Sequence, residues 1–409
     1  MVRLVAGAVL ILLALSAHAT QQPSPPKVET FSAAAHLVLV DFVVTDKSDR
    51  VVAGLSAKDF VVKEEGKERP IVTFVAFGGE PPQAPEASAL PSSDPARNAP
   101  KAMQPVALTV TVILVDDSHL TPEMAIRLKP SLKALLSSVS GRRGGLALFA
   151  PWSGVSVAGA LPEGGPALAS AVDQIQGQRM PLTKENLMSD AEAIAIDRGD
   201  RVTLDRVSAR RQAIRGDGPA MRQQITGEAT EIAAMARRRR LDLYRIVFQG
   251  LDWLATKSGR RSLIMVSEGF SYDPDDLVRH DVLTRSLQVN APVHYLDVRG
   301  LPGLSRYEGV EFGPALDLNA GEAPFAWSDA SKGAASLAHD TGGIVVQNTN
   351  DMAKGLGRML DTMKTYYVLG YEPPSGKAGF RKIKVEVRRK DLKVLARRGY
   401  VAKESPPSK

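Results

Sequence analysis

The chain is 409 residues long, with 52 basic and 45 acidic side chains and a formal net charge of +7. Hydrophobic residues make up 44% and charged residues 24%, a balance that excludes wholesale disorder and a multi-span membrane protein. Cysteine is absent, which removes disulfides, cysteine-ligated zinc, iron–sulfur clusters, thiol nucleophiles and a lipidated-cysteine anchor.

The length suits two to three domains, or one large domain with additions. Acids and bases are interspersed and aromatics are only 5%, so no nucleic-acid surface is expected. Arg3, an apolar run from Val5 to Leu15 and the small-x-small site Ala17-His18-Ala19 read as a signal peptide over 1–19. The run is too short to cross ~30 Å of hydrocarbon as a permanent anchor. The expected protein is therefore secreted, periplasmic or held in the cell envelope, with no membrane span after cleavage.

Residues 20–29 form a leader. An N-terminal β module follows over 30–78, with strands at 36–45, 60–64 and 70–77 and one helical turn capped by Ser56. Residues 79–104 hold six prolines and six alanines and read as an exposed linker. The region 105–365 then alternates strand and helix. Its first strand, Val106 to Val115, is a nearly unbroken apolar run, the pattern of a strand buried on both faces of a parallel sheet. A helix is predicted over Pro122 to Ser138, with Thr121 as cap and a kink or break at Pro130. Strands at 145–150, 155–157, 262–267, 293–297 and 343–346 and helices at 275–288, 328–339 and 352–363 complete the alternation. An insertion at about 178–257, polar at first, ends in one long helix from about 219. Its run Arg237 to Arg240 is either a solvated helix face or a contact for an acidic partner. Strands at 366–371, 380–387 and 394–397 close the C-terminal β segment, 366–400, before a tail at 401–409. Neither terminal β segment can bury a core alone, so the two are expected to form one small β domain. The fold class is α/β: a doubly wound, mostly parallel sheet with that β domain at its flank.

In such a sheet ligands bind outside the carboxyl ends of the strands, where strand order reverses. Asp116-Asp117-Ser118-His119-Leu120-Thr121 and Ser267-Glu268-Gly269-Phe270 fall there if a 3-2-1-4-5-6 order holds. Asp116, Ser118 and Glu268 would then present hard oxygen ligands suited to Mg²⁺, Mn²⁺ or Ca²⁺. Asp117, His119, Thr121, Asp297 and Arg299 are candidate lining residues of the crevice, and Asp297 and Arg299 are also placed to pair with each other. A hydrolase triad is not expected. Adjacent loop residues rarely point at one another, and no G-x-S-x-G, H-E-x-x-H or P-loop signature is present.

The segments VVTDKSDRVVAGLSAKDFVVKEEGK, VILVDDSHLTPE, GRRSLIMVSEGF, VHYLDVRGL and LAHDTGGIVVQNTNDM, with the closing YYVLGYEPPSGKAGFRKIKVEVRRKDLKVLARRGY, resemble the bacterial VWFA-related family of secreted proteins. That family is built on a von Willebrand factor A domain. The resemblance implies a Rossmann-like domain with a metal-ion-dependent adhesion site of the Asp-x-Ser-x-Ser type, completed by a threonine and an aspartate from other loops. Asp116 and Ser118 match the first two positions, Leu120 stands at the second serine, Glu268 at the aspartate, and Thr183 is the threonine candidate. The implied function is a secreted, non-catalytic protein that binds a protein or glycan ligand through a degenerate site with a weakly held divalent cation. A structural envelope scaffold is the alternative and an uncharacterised hydrolase the third reading.

Overall fold

The computed structural model describes residues 37–48, 50–78, 109–139, 144–180, 188–216, 218, 221–273, 276–301, 323–374 and 378–402. The expected signal peptide, leader and linker lie outside the described residues.

A six-stranded sheet forms the centre, from β5 (Thr109–Val115), β6 (Gly144–Ala150), β7 (Val155–Leu161), β8 (Arg260–Ser267), β9 (Val293–Asp297) and β10 (Val345–Val346). Its order is β10-β9-β8-β5-β6-β7. Every pairing is parallel except that of β7, an antiparallel edge strand. Alternate residues feed two cores, because successive side chains on a strand point to opposite faces. Ile113, Val115, Ile264 and Val266 face α1 (Pro122–Val139), α2 (Gly165–Asp173) and α8 (Met352–Lys364). Val112, Leu114, Leu263 and Met265 face α5 (Arg222–Ala255), α6 (Leu277–Val289) and α7 (Ala323–Thr341). Each fully buried aliphatic side chain contributes about 1.5–3 kcal/mol, so the two-faced burial stabilises the sheet strongly.

Helix α1 runs through Pro130 without the expected break. The proline lies on the exposed side, where water can satisfy the carbonyl that loses its partner. The insertion is also more structured than its polar sequence suggested. Two further helices, α3 (Asp190–Asp197) and α4 (Arg201–Arg215), precede the long helix. With the first half of α5 they bury a small core of their own around Ile194, Val207, Ile225 and Ala229. The buried face of α4 includes Thr203 and Arg211, which hides its helical period from a hydrophobic pattern. Helix α2 was likewise absent from the sequence-based assignment.

Two antiparallel sheets flank the α/β layer. One has the order β13-β1-β11-β4 and the other β14-β12-β2-β3. The strands are β1 (Val38–Thr45), β2 (Phe60–Glu64), β3 (Lys67–Arg69), β4 (Thr73–Phe77), β11 (Tyr366–Tyr371), β12 (Gly379–Val387), β13 (Lys393–Ala396) and β14 (Gly399–Ala402). Both sheets mix strands from the two ends of the chain: β1 lies between β11 and β13, and β12 pairs with β2. Their shared core centres on Phe42, Phe60 and Tyr367, whose rings meet at 4.9 to 5.5 Å. Tyr367 also accepts a hydrogen bond from Leu55 N–H at 3.2 Å and donates to Val52 O at 2.9 Å, tying down the loop before β2. Among the described residues no helix is long and apolar enough to cross a membrane.

Candidate functional site

Strand order reverses between β5 and β8, and the loops that leave their carboxyl ends meet there. Asp116 follows β5 directly, and its N–H donates to Val266 O at 2.8 Å. That backbone bond sets the Asp116 side chain opposite Ser267, whose hydroxyl donates to it at 2.6 Å. Ser118 Oγ donates to the same carboxylate at 2.9 Å, and His119 Nδ1 lies 2.9 Å from it. Burial pushes the Asp116 pKa up, but the facing His119 and the two serines outweigh it and hold the carboxyl below its ordinary value.

Glu268 is buried and turned toward the start of α1. Its Oε1 accepts from Thr121 N–H at 2.7 Å and Thr121 Oγ1 at 2.8 Å, while Oε2 faces Arg179 Nη1 at 3.3 Å. A carboxylate at a helix N-terminus also complements the helix dipole. Asp117 points the other way. It accepts from Ser153 N–H and Oγ, both at 2.6 Å, and from Trp152 N–H at 3.3 Å. Burial of the Asp117 carboxyl is the larger effect and raises its pKa despite those bonds. Asp297 and Arg299 form a buried pair, with Arg299 Nε 2.9 Å from Oδ1 and Nη2 2.5 Å from Oδ2.

The strand-end candidates thus come together, but as ties between loops. Asp116, Ser118 and His119 form one cluster, Thr121 and Glu268 a second, Asp297 and Arg299 a third. Asp117, His119, Asp297 and Arg299 are all buried, so they brace the crevice and do not line it. Thr183 lies outside the described residues. Ser267, Ser153 and Arg179 are the partners that sequence reasoning missed. Ser267 was findable, being the last residue of its strand beside Glu268. Ser153 and Arg179 stand 36 and 89 positions from their carboxylates, with no local signal.

As arranged, these residues do not fit a divalent cation. An imidazole nitrogen stands against Asp116 and a guanidinium against Glu268, each beside oxygens a metal would need. Leu120 is fully buried in the core under α1 and offers no oxygen. No group of three His, Asp or Glu is arranged to hold a metal among the described residues. Nor do Ser118 and His119 form a nucleophile–base pair. The same Nδ1 that lies 3.1 Å from Ser118 Oγ also faces Asp116, and the serine donates to Asp116.

The loops that carry these closed clusters also expose three large apolar side chains. Trp152 is 51% exposed, Met180 74% and Leu301 55%. Trp152 lies two residues past the end of β6, its N–H donating to Asp117, and Met180 follows Arg179, the partner of Glu268. Leu301 follows β9, with its N–H donating to Asn350 Oδ1 at 3.1 Å. Gly177 is required beneath them, because a Cβ there would collide with the Thr121 carbonyl.

No family model matches the chain, and no curated protein does. Among solved structures, the crystal structure of the TFIIH p34 N-terminal domain matches with 10% identity and a TM-score of 0.25, over 63% of this chain and 98% of that one.

Proposed function

We propose that the protein is a non-catalytic binding module with a von Willebrand factor A-like domain, exported from the cytoplasm, that takes a protein ligand at the carboxyl end of its central sheet without a metal ion. The strand order 3-2-1-4-5-6, with the third strand antiparallel, supports the A-like assignment. The observation that carries the binding reading is the trio Trp152, Met180 and Leu301, exposed on loops whose carboxylates are already satisfied by the chain itself. Exposed large apolar side chains on braced loops suit the buried centre of a protein interface, where Trp and Met are enriched. A glycan remains the second ligand class, because an exposed Trp also offers a ring face to a sugar.

The test is capture from the native envelope by the mature protein, in Mg²⁺ and in EDTA, with the double variant Trp152→Ala and Met180→Ala as control. Retention of one partner in both buffers, lost in the double variant with the melting temperature unchanged, supports the proposal. Capture that EDTA abolishes restores a metal-dependent site. Absence of any specific partner favours the envelope scaffold.

A further inference from the structure

Far from the crevice, the β domain meets the amino-terminal edge of the central sheet across a small cavity of about 30 Å³. Asp41 of β1, Arg260 of β8, His294 of β9 and Arg397 after β13 line it, together with Asn290 and Thr362. A single water needs about 10–15 Å³ on the same measure, so the space is large enough for a small ion as well as for water.

Among its charged groups the lining holds more donors than acceptors. His294 is buried, and its Nδ1 accepts from Ile344 N–H at 3.0 Å, which places the ring proton of the neutral imidazole on Nε2. That Nε2–H has no partner, and neither do Arg260 Nε and Arg397 Nε. The carboxylate in the lining is Asp41. It is 3.4 Å from Arg260 Nη1 and already accepts from Asn290 Nδ2 at 2.9 Å. Arg260 spends Nη2 on Thr362 O, and Arg397 uses its terminal nitrogens on Leu287 O and Leu39 O. Arg261 lines the cavity as well, so three guanidiniums stand with one carboxylate, and Arg260 is also stacked on the Tyr366 ring at 3.6 Å. Positive charge is thus in excess in a largely desolvated place, where unpaired charge is costly.

We infer that this cavity binds one monovalent anion of halide size, held by the Arg260 and Arg397 guanidiniums and the His294 Nε2–H. The ion offsets part of the excess positive charge at the seam. Arg397 is carried by the β domain, while Arg260 and His294 belong to the central sheet, so the anion links two layers that meet edge to edge. It is independent of the ligand crevice.

Two measurements test this. Crystals soaked in bromide should show an anomalous peak within hydrogen-bond reach of His294 Nε2. Replacing gluconate by chloride at constant ionic strength should raise the melting temperature by a few degrees, because a ligand bound only by the native state stabilises it by mass action. General salt exclusion would favour gluconate, so the sign separates the two effects. Arg397→Met should lose the chloride-dependent rise while keeping its circular dichroism, and His294→Gln, which retains an N–H donor, should keep part of it. A wild type that melts alike in chloride and gluconate, a cavity without bromide, or an undiminished chloride effect in Arg397→Met overturns the assignment.

Discussion

His119 Nδ1 lies 2.9 Å from the carboxylate of Asp116, three residues earlier, and both side chains are buried. The contact closes the loop after β5 on itself, and Ser267 ties the same carboxylate to β8. If this cluster holds the loops together, Asp116→Asn and His119→Ala should be coupled. Each single change is expected to cost ~2–4 kcal/mol, and the double variant should fall short of their sum by ~1–3 kcal/mol. Urea unfolding of the four proteins measures this, and additivity within ~0.5 kcal/mol would mean the two residues act separately.

The arginine run on α5 divides by partner. Arg240 is buried between Asp273, at 2.9 Å, and Asp276, at 3.1 Å, ahead of α6. Arg239 pairs with Asp190 at 2.7 Å, and Arg237 pairs with Asp197. Only the Arg238 side chain of the four is largely solvated, at 87% exposure. Three of these arginines therefore bind carboxylates from other elements of the chain, and Arg238 reaches only its helix neighbour Asp242, at 3.9 Å, so the run is for the most part neither the solvated face nor the partner contact expected from sequence. Arg240→Met should cost ~3–5 kcal/mol by stranding Asp276, 4% exposed, and leaving Asp273 with Arg198 at 3.5 Å, while Arg238→Ala should stay within ~0.5 kcal/mol. Chemical denaturation of both variants checks the contrast, and equal effects would refute it.

Stability should fall in mild acid through His294. Burial, reinforced by the Arg260 charge, lowers its pKa from 6.5 to about 3. The charged groups that line the cavity with it are Arg260, Arg261, Arg397 and Asp41. Its contribution is fully present above the unfolded value. As pH falls below 6.5 the unfolded chain takes up a proton that the folded chain refuses until about pH 3, so stability drops across that window. The slope from this group approaches ~1.4 kcal/mol per pH unit. Between pH 6.5 and 5, before most carboxylates titrate, His294→Gln should flatten the dependence. An unchanged slope in the variant would show that another group governs it.

Leu120 gives the site its sharpest test against metal binding. Placing an oxygen there with Leu120→Ser would help build a metal site only if the side chain reached the crevice. It lies instead in the core beneath α1 with Met124. The expected result is a loss of ~2–4 kcal/mol and no melting-temperature rise with millimolar Mg²⁺ or Mn²⁺, in the variant or the wild type. A metal-dependent rise in either protein would mean that His119 and Arg179 swing away and let a cation in.

The strands expected at 106–115, 262–267 and 293–297, found at 109–115, 260–267 and 293–297, were legible because burial on both sheet faces demands a largely apolar sequence, nearly unbroken in the first of them. Likewise legible was the need for the two terminal β segments to share a core, since neither is large enough to bury one alone. What the sequence determined was thus which segments are buried and which residues stand at strand ends, because both follow from local periodicity. Tertiary structure alone decided what those residues do. Whether Asp116 binds an ion or an imidazole, whether Glu268 faces solvent or Arg179, and whether an arginine run meets water or Asp273 and Asp276 depend on partners 3 to 151 positions away. Hydrogen bonds and ion pairs act over about 3 Å, and no spacing along a chain records which distant loop will arrive there.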